Sequence, residues 1–295
     1  MQLDLLTFPT PPKVSVGRGG GGLLKWIGNK QRFAREIIAF FPKQYGVYHE
    51  PFLGSGAVLA ALSPKNGVAS DTFAPLLGIW TALKGSPEIL KDWYLVGYRR
   101  MMNAPSKKEG YEAIKADYNA CPNPADLLFL SRSCYGGVVR FRKRDGYMST
   151  PCGIHSPISP ESFARRVDAW AVKVAGANFF HSDYKESIPK AETGDLVYCD
   201  PPYTHTQAIL YGAQGFSLKE LCKEIEKAKH RGVYVALSID GTKKSGGTQC
   251  ELSIPVGLFE REVFIDCGRS MLKRFQMEGE TLETECVSDR LLLTY

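Results

Sequence analysis

The chain has 295 residues, 44% hydrophobic and 23% charged, with eight cysteines and a formal net charge of +6. That is the composition of a globular protein large enough for one big domain or one domain with an insertion. No apolar run of roughly 18 residues appears, so a membrane-spanning helix is not expected, and Met1-Gln2-Leu3-Asp4 lacks the basic segment and apolar core of a secretory signal.

The cysteines are scattered without a Cys-x-x-Cys, which reads as reduced thiols in a cytoplasmic protein. Cys152 and His155 have ligand-like spacing but no second pair to complete a tetrahedral site, so no metal is expected. The mild basic excess is compatible with nucleic acid.

Residues 1–22 read as a flexible arm, with Pro9, Pro11 and Pro12 ahead of a run of glycines from Gly17 to Gly22. Lys25 and Lys30 then flank Trp26 and Gly28 just before a helical pattern of Phe33, Ile37 and Phe41. The two lysines form either a solvated basic turn or a site for a carboxylate at a helix start, where backbone amides also favour an anion. Val47 and Tyr48 suggest a strand, and Gly54 and Gly56 a tight turn into the helix Ala57 to Leu62. Strand, glycine turn and helix make the adenosyl-binding geometry of a doubly wound sheet. Val68 to Asp71 reads as the second strand. Its Asp71 either binds a ribose, at about the expected spacing of ~20 residues, or caps the next helix.

From residue 85 to 160 the pattern changes to helical patches, tyrosines and a basic segment. Val138-Val139-Arg140-Phe141 and Tyr147-Met148 flank Arg142-Lys143-Arg144-Asp145-Gly146. Asp-Gly is a hairpin-turn signal, and basic residues interleaved with aromatics suit groove insertion and phosphate contact. The alternative is a solvated cationic turn. If the strand continues into the turn, Arg140, Arg142 and Arg144 share one face, with Arg140 the expected base reader and Lys143 a phosphate holder.

After Pro160 a core pattern resumes. Phe163, Val167, Trp170 and Val174 share a helical face, Asn178 to Asp183 reads as a strand, and Ser217 caps a helix running to His230. Strands are expected at 233–237, 259–266 and 290–295, with a mobile loop at 241–247. Between them, Leu196-Val197-Tyr198-Cys199 reads as a short buried strand that delivers Asp200-Pro201-Pro202-Tyr203. Prolines cannot donate to a ladder, so the strand ends there, placing Asp200 and Tyr203 at the carboxyl edge of a sheet. A carboxylate, a carbonyl and an aromatic ring on a rigid turn suit a flat heterocycle bearing an amino group. A proline-rich turn with a capping Asp is the plainer reading of the tetrapeptide alone.

Taken together, these motifs resemble the DNA adenine methylase (Dam) type of amino-methyltransferase from Leu24 to the C-terminus. Leu24 to Lys30 looks like that family's N-terminal cofactor motif, with Asn29 in place of the usual second glycine. Glu50-Pro51-Phe52-Leu53-Gly54-Ser55-Gly56 looks like its glycine motif, and Asp200-Pro201-Pro202-Tyr203 is identical to its catalytic motif. The resemblance implies an α/β fold: a doubly wound Rossmann-like methyltransferase sheet with an inserted, mainly helical target-recognition domain carrying a β-hairpin. The expected divisions are the arm (1–22), the core (23–84 and 161–295) and the insertion (85–160).

The resemblance further implies transfer of a methyl group from S-adenosyl-L-methionine to the N6 amino group of a flipped-out adenine in double-stranded DNA. Asp200, Pro201, Pro202 and Tyr203 are the implied catalytic set. Trp26, Gly28, Lys30, Glu50, Phe52, Gly54, Gly56, Asp71, Asp183 and Asp200 are the implied cofactor contacts, and Arg132, Tyr135, Arg140, Arg142, Lys143 and Arg144 the DNA contacts. Tyr211 and Phe216 are placed to wall the flipped base. A monomer, a partner restriction endonuclease and GATC as target are defaults of the same resemblance. A cytosine or RNA amino-methyltransferase, a catalytically silent DNA-binding relative and a small-molecule methyltransferase remain alternatives at this point.

Overall fold

A computed structural model describes residues 21–142, 144–202, 216–243, 248–249, 254–269 and 286–295. Its elements in chain order are α1 (Ala34–Ile38), β1 (Tyr48–Glu50), α2 (Ala57–Leu62), β2 (Gly67–Asp71), α3 (Ala74–Gly85), α4 (Pro87–Met102), α5 (Lys107–Ala120) and α6 (Pro124–Ser133). They continue with α7 (Pro160–Val174), β3 (Ala177–His181), α8 (Tyr184–Ser187), β4 (Leu196–Cys199), α9 (Leu218–His230), β5 (Tyr234–Lys243), β6 (Thr248–Gln249), β7 (Arg261–Arg269) and β8 (Cys286–Leu293). Among the described residues no helix is long and apolar enough to cross a membrane.

The sheet runs β3-β2-β1-β4-β5-β8-β7, with β6 paired to β5. The first five strands are parallel, and β8 and β7 close the edge antiparallel. From β1 the chain moves outward to β2 and β3; it then returns to lay β4 on the other side of β1. This reversal leaves a crevice beyond the carboxyl ends of β1 and β4, where open α/β sheets take their ligands. All four residues of β4 are buried, as the apolar run requires of a strand covered on both faces. Its register with β1, Tyr48 opposite Leu196, brings Glu50 and Asp200 to adjacent strand ends.

The inserted stretch is helical for local reasons. Ser106 caps α5 by accepting the Glu109 N–H at 3.2 Å. Asn123 caps α6 by accepting the Asp126 N–H at 2.9 Å, with Pro124 in the first turn. Residues 85–160 share the core of the sheet. Tyr94, Tyr111 and Phe129 belong to the same buried cluster as Tyr48 and Leu196 of the sheet. Tyr94 of α4 stacks on Phe163 of α7 at 4.0 Å between ring centroids.

Three expectations need correction. The strand β5 continues to Lys243, across the start of the segment read as a loop, because β8 pairs with it as far as Thr242. The last strand begins at Cys286 rather than 290.

The expected hairpin at 138–148 reduces to one isolated antiparallel bridge, Phe141 with Met148. On either side of it Ser149 N–H donates to Arg140 O and Arg142 N–H to Tyr147 O, each at 2.9 Å. It extends no further because side chains take the edge groups. Asn119 of α5 accepts the Met148 N–H at 2.6 Å and donates to its carbonyl at 3.2 Å. Thr150 Oγ1 accepts the Arg140 N–H at 2.8 Å.

Candidate active site and nucleic-acid face

The crevice is a cleft of about 280 Å³. Its walls include most of the residues singled out from sequence: Trp26, Gly28 and Lys30 from the segment before α1, Glu50 and Phe52 after β1, Gly54, Asp71, Asp183, and Asp200 with Pro201 and Pro202.

Asp71 organises the glycine turn. Its carboxylate accepts the Gly54 N–H at 3.0 Å and the Phe73 N–H at 3.1 Å. It thus ties the turn after β1 to the entry of α3, although the N-cap of α3 is Phe73 and no side chain caps it. Burial pushes its pKa up, and these backbone bonds oppose the rise. Gly54 and Gly56 both have left-handed φ, 47° and 59°, which favours glycine. Gly56, however, does not line the cleft; it precedes α2, and a Cβ there would come within 2.9 Å of Trp80. The Gly56 backbone makes the turn that lets α2 pack.

Asp200 follows the last residue of β4. Lys30 Nζ lies 2.8 Å from its Oδ1 and 3.4 Å from Asp289 Oδ2 on β8. Lys30 is 3% exposed and lines the cleft, where it meets these two carboxylates of the protein's own. Burial pushes Asp200 up to about 6, against the pull of Lys30, and Asp289 adds to the rise. Glu50 is also buried. Tyr48 donates to its Oε2 at 2.6 Å, but burial dominates and pushes its pKa up to about 8. One carboxylate of the adjacent pair is therefore mostly protonated at neutral pH and the other mostly ionised.

The apolar walls are aromatic. Phe52 stacks on Tyr184 at 5.3 Å, with Phe216 edge-on at 6.0 Å. Opposite them Trp26 lies 6.3 Å from Phe73, and Phe141 meets Phe73 edge-on at 5.4 Å. Phe141 brings the basic segment to the mouth of the cleft. Asp183 caps α8, accepting the Lys185 N–H at 2.8 Å.

Sequence reasoning missed Asp289, Phe73, Phe141 and Tyr184 as site residues. An acid just ahead of the apolar Leu291-Leu292-Leu293 was the available signal for Asp289; the aromatics carry no signal apart from their tertiary neighbours.

The residues read as DNA contacts divide sharply. Arg132 is buried. Its guanidinium donates to the carbonyls of Gly22 at 2.9 Å and Leu23 at 2.7 Å and lies 5.4 Å from the Phe163 ring. Burial lowers its pKa to about 10. Its expected contact with DNA is corrected: it is bonded inside the protein to the chain at Gly22 and Leu23, because α6 is buried from Leu127 to Ser133. Tyr135 is exposed. Arg140 is half-buried, and its Nε has no hydrogen-bond partner among the described residues. Arg142 packs on Tyr147 at 4.1 Å and pairs with Asp145 at 2.9 Å. Arg144 is exposed and pairs with the same Asp145 at 3.3 Å.

The shared face expected for the three arginines ends at Arg142, whose carbonyl accepts the Gly146 N–H at 2.8 Å and closes a turn. Lys143, Tyr203 and Tyr211 lie outside the described residues.

Residues 26–252 match the family model described as D12 class N6 adenine-specific DNA methyltransferase. The DNA adenine methylase of Vibrio cholerae is 28% identical over 232 residues, covering 73% of this chain and 79% of the relative. That of Salmonella typhi is 28% identical over 217 residues, 70% of this chain and 75% of the relative. A Type II methyltransferase of Lactococcus lactis subsp. cremoris is 25% identical over 240 residues, 72% of this chain and 79% of the relative.

Proposed function

The chain belongs to the D12 class of N6 adenine-specific DNA methyltransferases, and from that premise we propose that it moves a methyl group from S-adenosyl-L-methionine to N6 of an adenine flipped out of double-stranded DNA. It is an enzyme of adenine-specific DNA methylation; the donor, the atom methylated and the flipping are the proposal. The observation that carries it is the place of Asp200: at the end of β4, ahead of two prolines, in one cleft with the Gly54–Asp71 turn and with Phe141 of the basic segment.

The residues present fit the donor. The ionised Asp200 carboxylate suits the donor's cationic sulfonium, and Glu50, protonated at neutral pH, lines the cleft on the adjacent strand end. The Asp71 carboxylate accepts bonds from Gly54 and Phe73 and retains lone pairs for ribose hydroxyls, since a carboxylate offers about four acceptor sites. The stacked Phe52–Tyr184 pair offers an apolar aromatic wall for a purine. When bound, the donor supplies an activated methyl on a sulfonium.

The protein's own part is orientation and charge. The Asp200 carboxylate and the Pro201 carbonyl accept the two amino hydrogens of adenine. This draws the nitrogen towards tetrahedral geometry and frees its lone pair for in-line attack. With Oδ1 held by Lys30, Oδ2 is the oxygen offered to the amino group. Tyr203 stacks on the base, and Phe216 closes the wall beside it. A stacked adenine cannot reach Asp200, so the duplex gives it up at a cost of a few kcal/mol. Tyr135, Arg140, Arg142, Lys143 and Arg144 hold the backbone and read base edges.

The test is methylation of a random-sequence duplex with labelled donor, followed by mapping of the modified bases. N6-methyladenine within one short motif is expected. Methylated cytosine instead, or transfer to single-stranded RNA in preference to duplex DNA, would overturn the reading.

A further inference from the structure

Cys134 and Cys152 lie outside the cleft and face each other across an isolated antiparallel bridge. Tyr135 N–H donates to Pro151 O, and Gly153 N–H to Ser133 O, each at 2.8 Å. These bonds flank the cysteines and do not join them, so the two form a non-hydrogen-bonded pair. In such a pair the Cα atoms are about 4.5 Å apart and both side chains stand on the same face. A disulfide needs Cα atoms about 4.4–6.8 Å apart. Gly153 permits this approach, because a Cβ there would lie 2.7 Å from Ser133 O.

Both thiols are free, and their contacts are weak: Cys134 Sγ with Ser131 O at 3.6 Å and Cys152 Sγ with Lys107 O at 3.9 Å. A thiol is a poor donor, so side-chain rotation gives these up at little cost. Access is one-sided. Cys134 is 3% exposed, whereas Cys152 is half-buried in the field of Lys107, Lys115 and Lys108, which the Glu112 carboxylate opposes.

We propose that Cys134 and Cys152 are a redox pair that closes into a cross-strand disulfide, stapling the base of the segment 135–151 that carries Arg140, Arg142 and Arg144. The oxidant is a low-molecular-weight disulfide such as oxidised glutathione. The Cys152 thiolate attacks one of its sulfurs and expels one glutathione thiolate, leaving a mixed disulfide on Cys152. The Cys134 thiolate then attacks the Cys152 sulfur, and the second glutathione leaves. Two protein thiols are oxidised, one oxidised glutathione is reduced, and the two thiol protons end on the two departing thiolates. Burial pushes the Cys134 thiol up to about 12 and that of Cys152 upward, so closure is slow at neutral pH and the assay runs in mildly alkaline buffer.

The experiment treats the full chain with oxidised glutathione, blocks remaining thiols, digests with trypsin and measures masses without reduction. The expected product joins the peptide Ser133–Arg140 to Asp145–Arg165, two hydrogen masses below their sum. Reduction should separate the two, and Cys152→Ser should not form it. Recovery of both peptides singly, as blocked thiols or separate glutathione adducts, while the exposed Cys121 has reacted, would overturn the proposal. The readout involves no methyl transfer, so it stands or falls apart from the proposed function.

Discussion

The cleft at the ends of β1 and β4 and the basic segment beside it are built by different means. In the cleft, parallel strand register carries Glu50, Asp71 and Asp200 to their places, and burial then sets their protonation. The basic segment has one bridge of regular pairing and is held by side chains reaching its backbone, Asn119 at Met148 and Thr150 at Arg140. A ladder fixes positions cooperatively, so one substitution in the cleft should change chemistry and leave geometry alone. In the segment, one anchoring side chain carries the position of many others. Chemistry and recognition should therefore be separable by mutation.

Asp200→Ala tests that separation most severely. Methyl transfer should fall at least about 100- to 1,000-fold, the scale for removing one preorganised group from the reacting centre, while duplex binding persists. Turnover near that of the parent chain would break the assignment.

Glu50→Gln sharpens the electrostatic half. The folded pKa of Glu50, about 8, lies above its ordinary 4.5. The protonated form is therefore favoured in the fold, and its contribution to stability is lost as pH rises towards 8. Between pH 6 and 8 that loss spans two units at about 1.4 kcal/mol each. The variant keeps an acceptor for Tyr48 and should gain about 2–3 kcal/mol over the parent across that interval, measured by denaturant unfolding. Parallel pH profiles for the two proteins would refute the buried-acid picture.

Asp71→Ala should weaken donor binding by about 1–3 kcal/mol, the scale of a hydrogen bond to a charged group. Calorimetry showing unchanged affinity would confine Asp71 to capping the glycine turn.

Asn119→Ala removes both bonds to Met148 and should cost about 1 kcal/mol of duplex affinity, with donor affinity unchanged. An equal loss of donor binding would mean that the segment and the cleft move together.

The smallest effect belongs to Arg144→Ala. It should weaken all duplexes alike and reduce the salt slope by about one. Loss of preference at a single base pair would make Arg144 a reader instead.

Much of the site was legible because its chemistry is local in sequence. A run of four buried residues followed by Asp-Pro-Pro can only be a strand that stops, and a glycine turn between a strand and a helix announces itself by residue type. The arginines were not legible in that way. Arg132, Arg140 and Arg144 have the same formula, yet one is bonded inside the protein to Leu23, one is half-buried and one is exposed. No periodicity distinguishes them, because what buries Arg132 is the packing of α3, α4 and α5 against α6.

The sequence by itself determined the strand end that delivers Asp200, the glycine turn between the first strand and its helix, and the family's motifs. Those follow from apolar runs, proline and glycine, whose effects act within a few residues. Only the tertiary structure decided that Lys30 serves Asp200 and Asp289, that Phe141 reaches the cleft, and that Cys134 faces Cys152. Each of these joins residues distant in the chain: β8 packed against β5 brings Asp289 to Lys30, and a local antiparallel bridge brings Cys134 to Cys152.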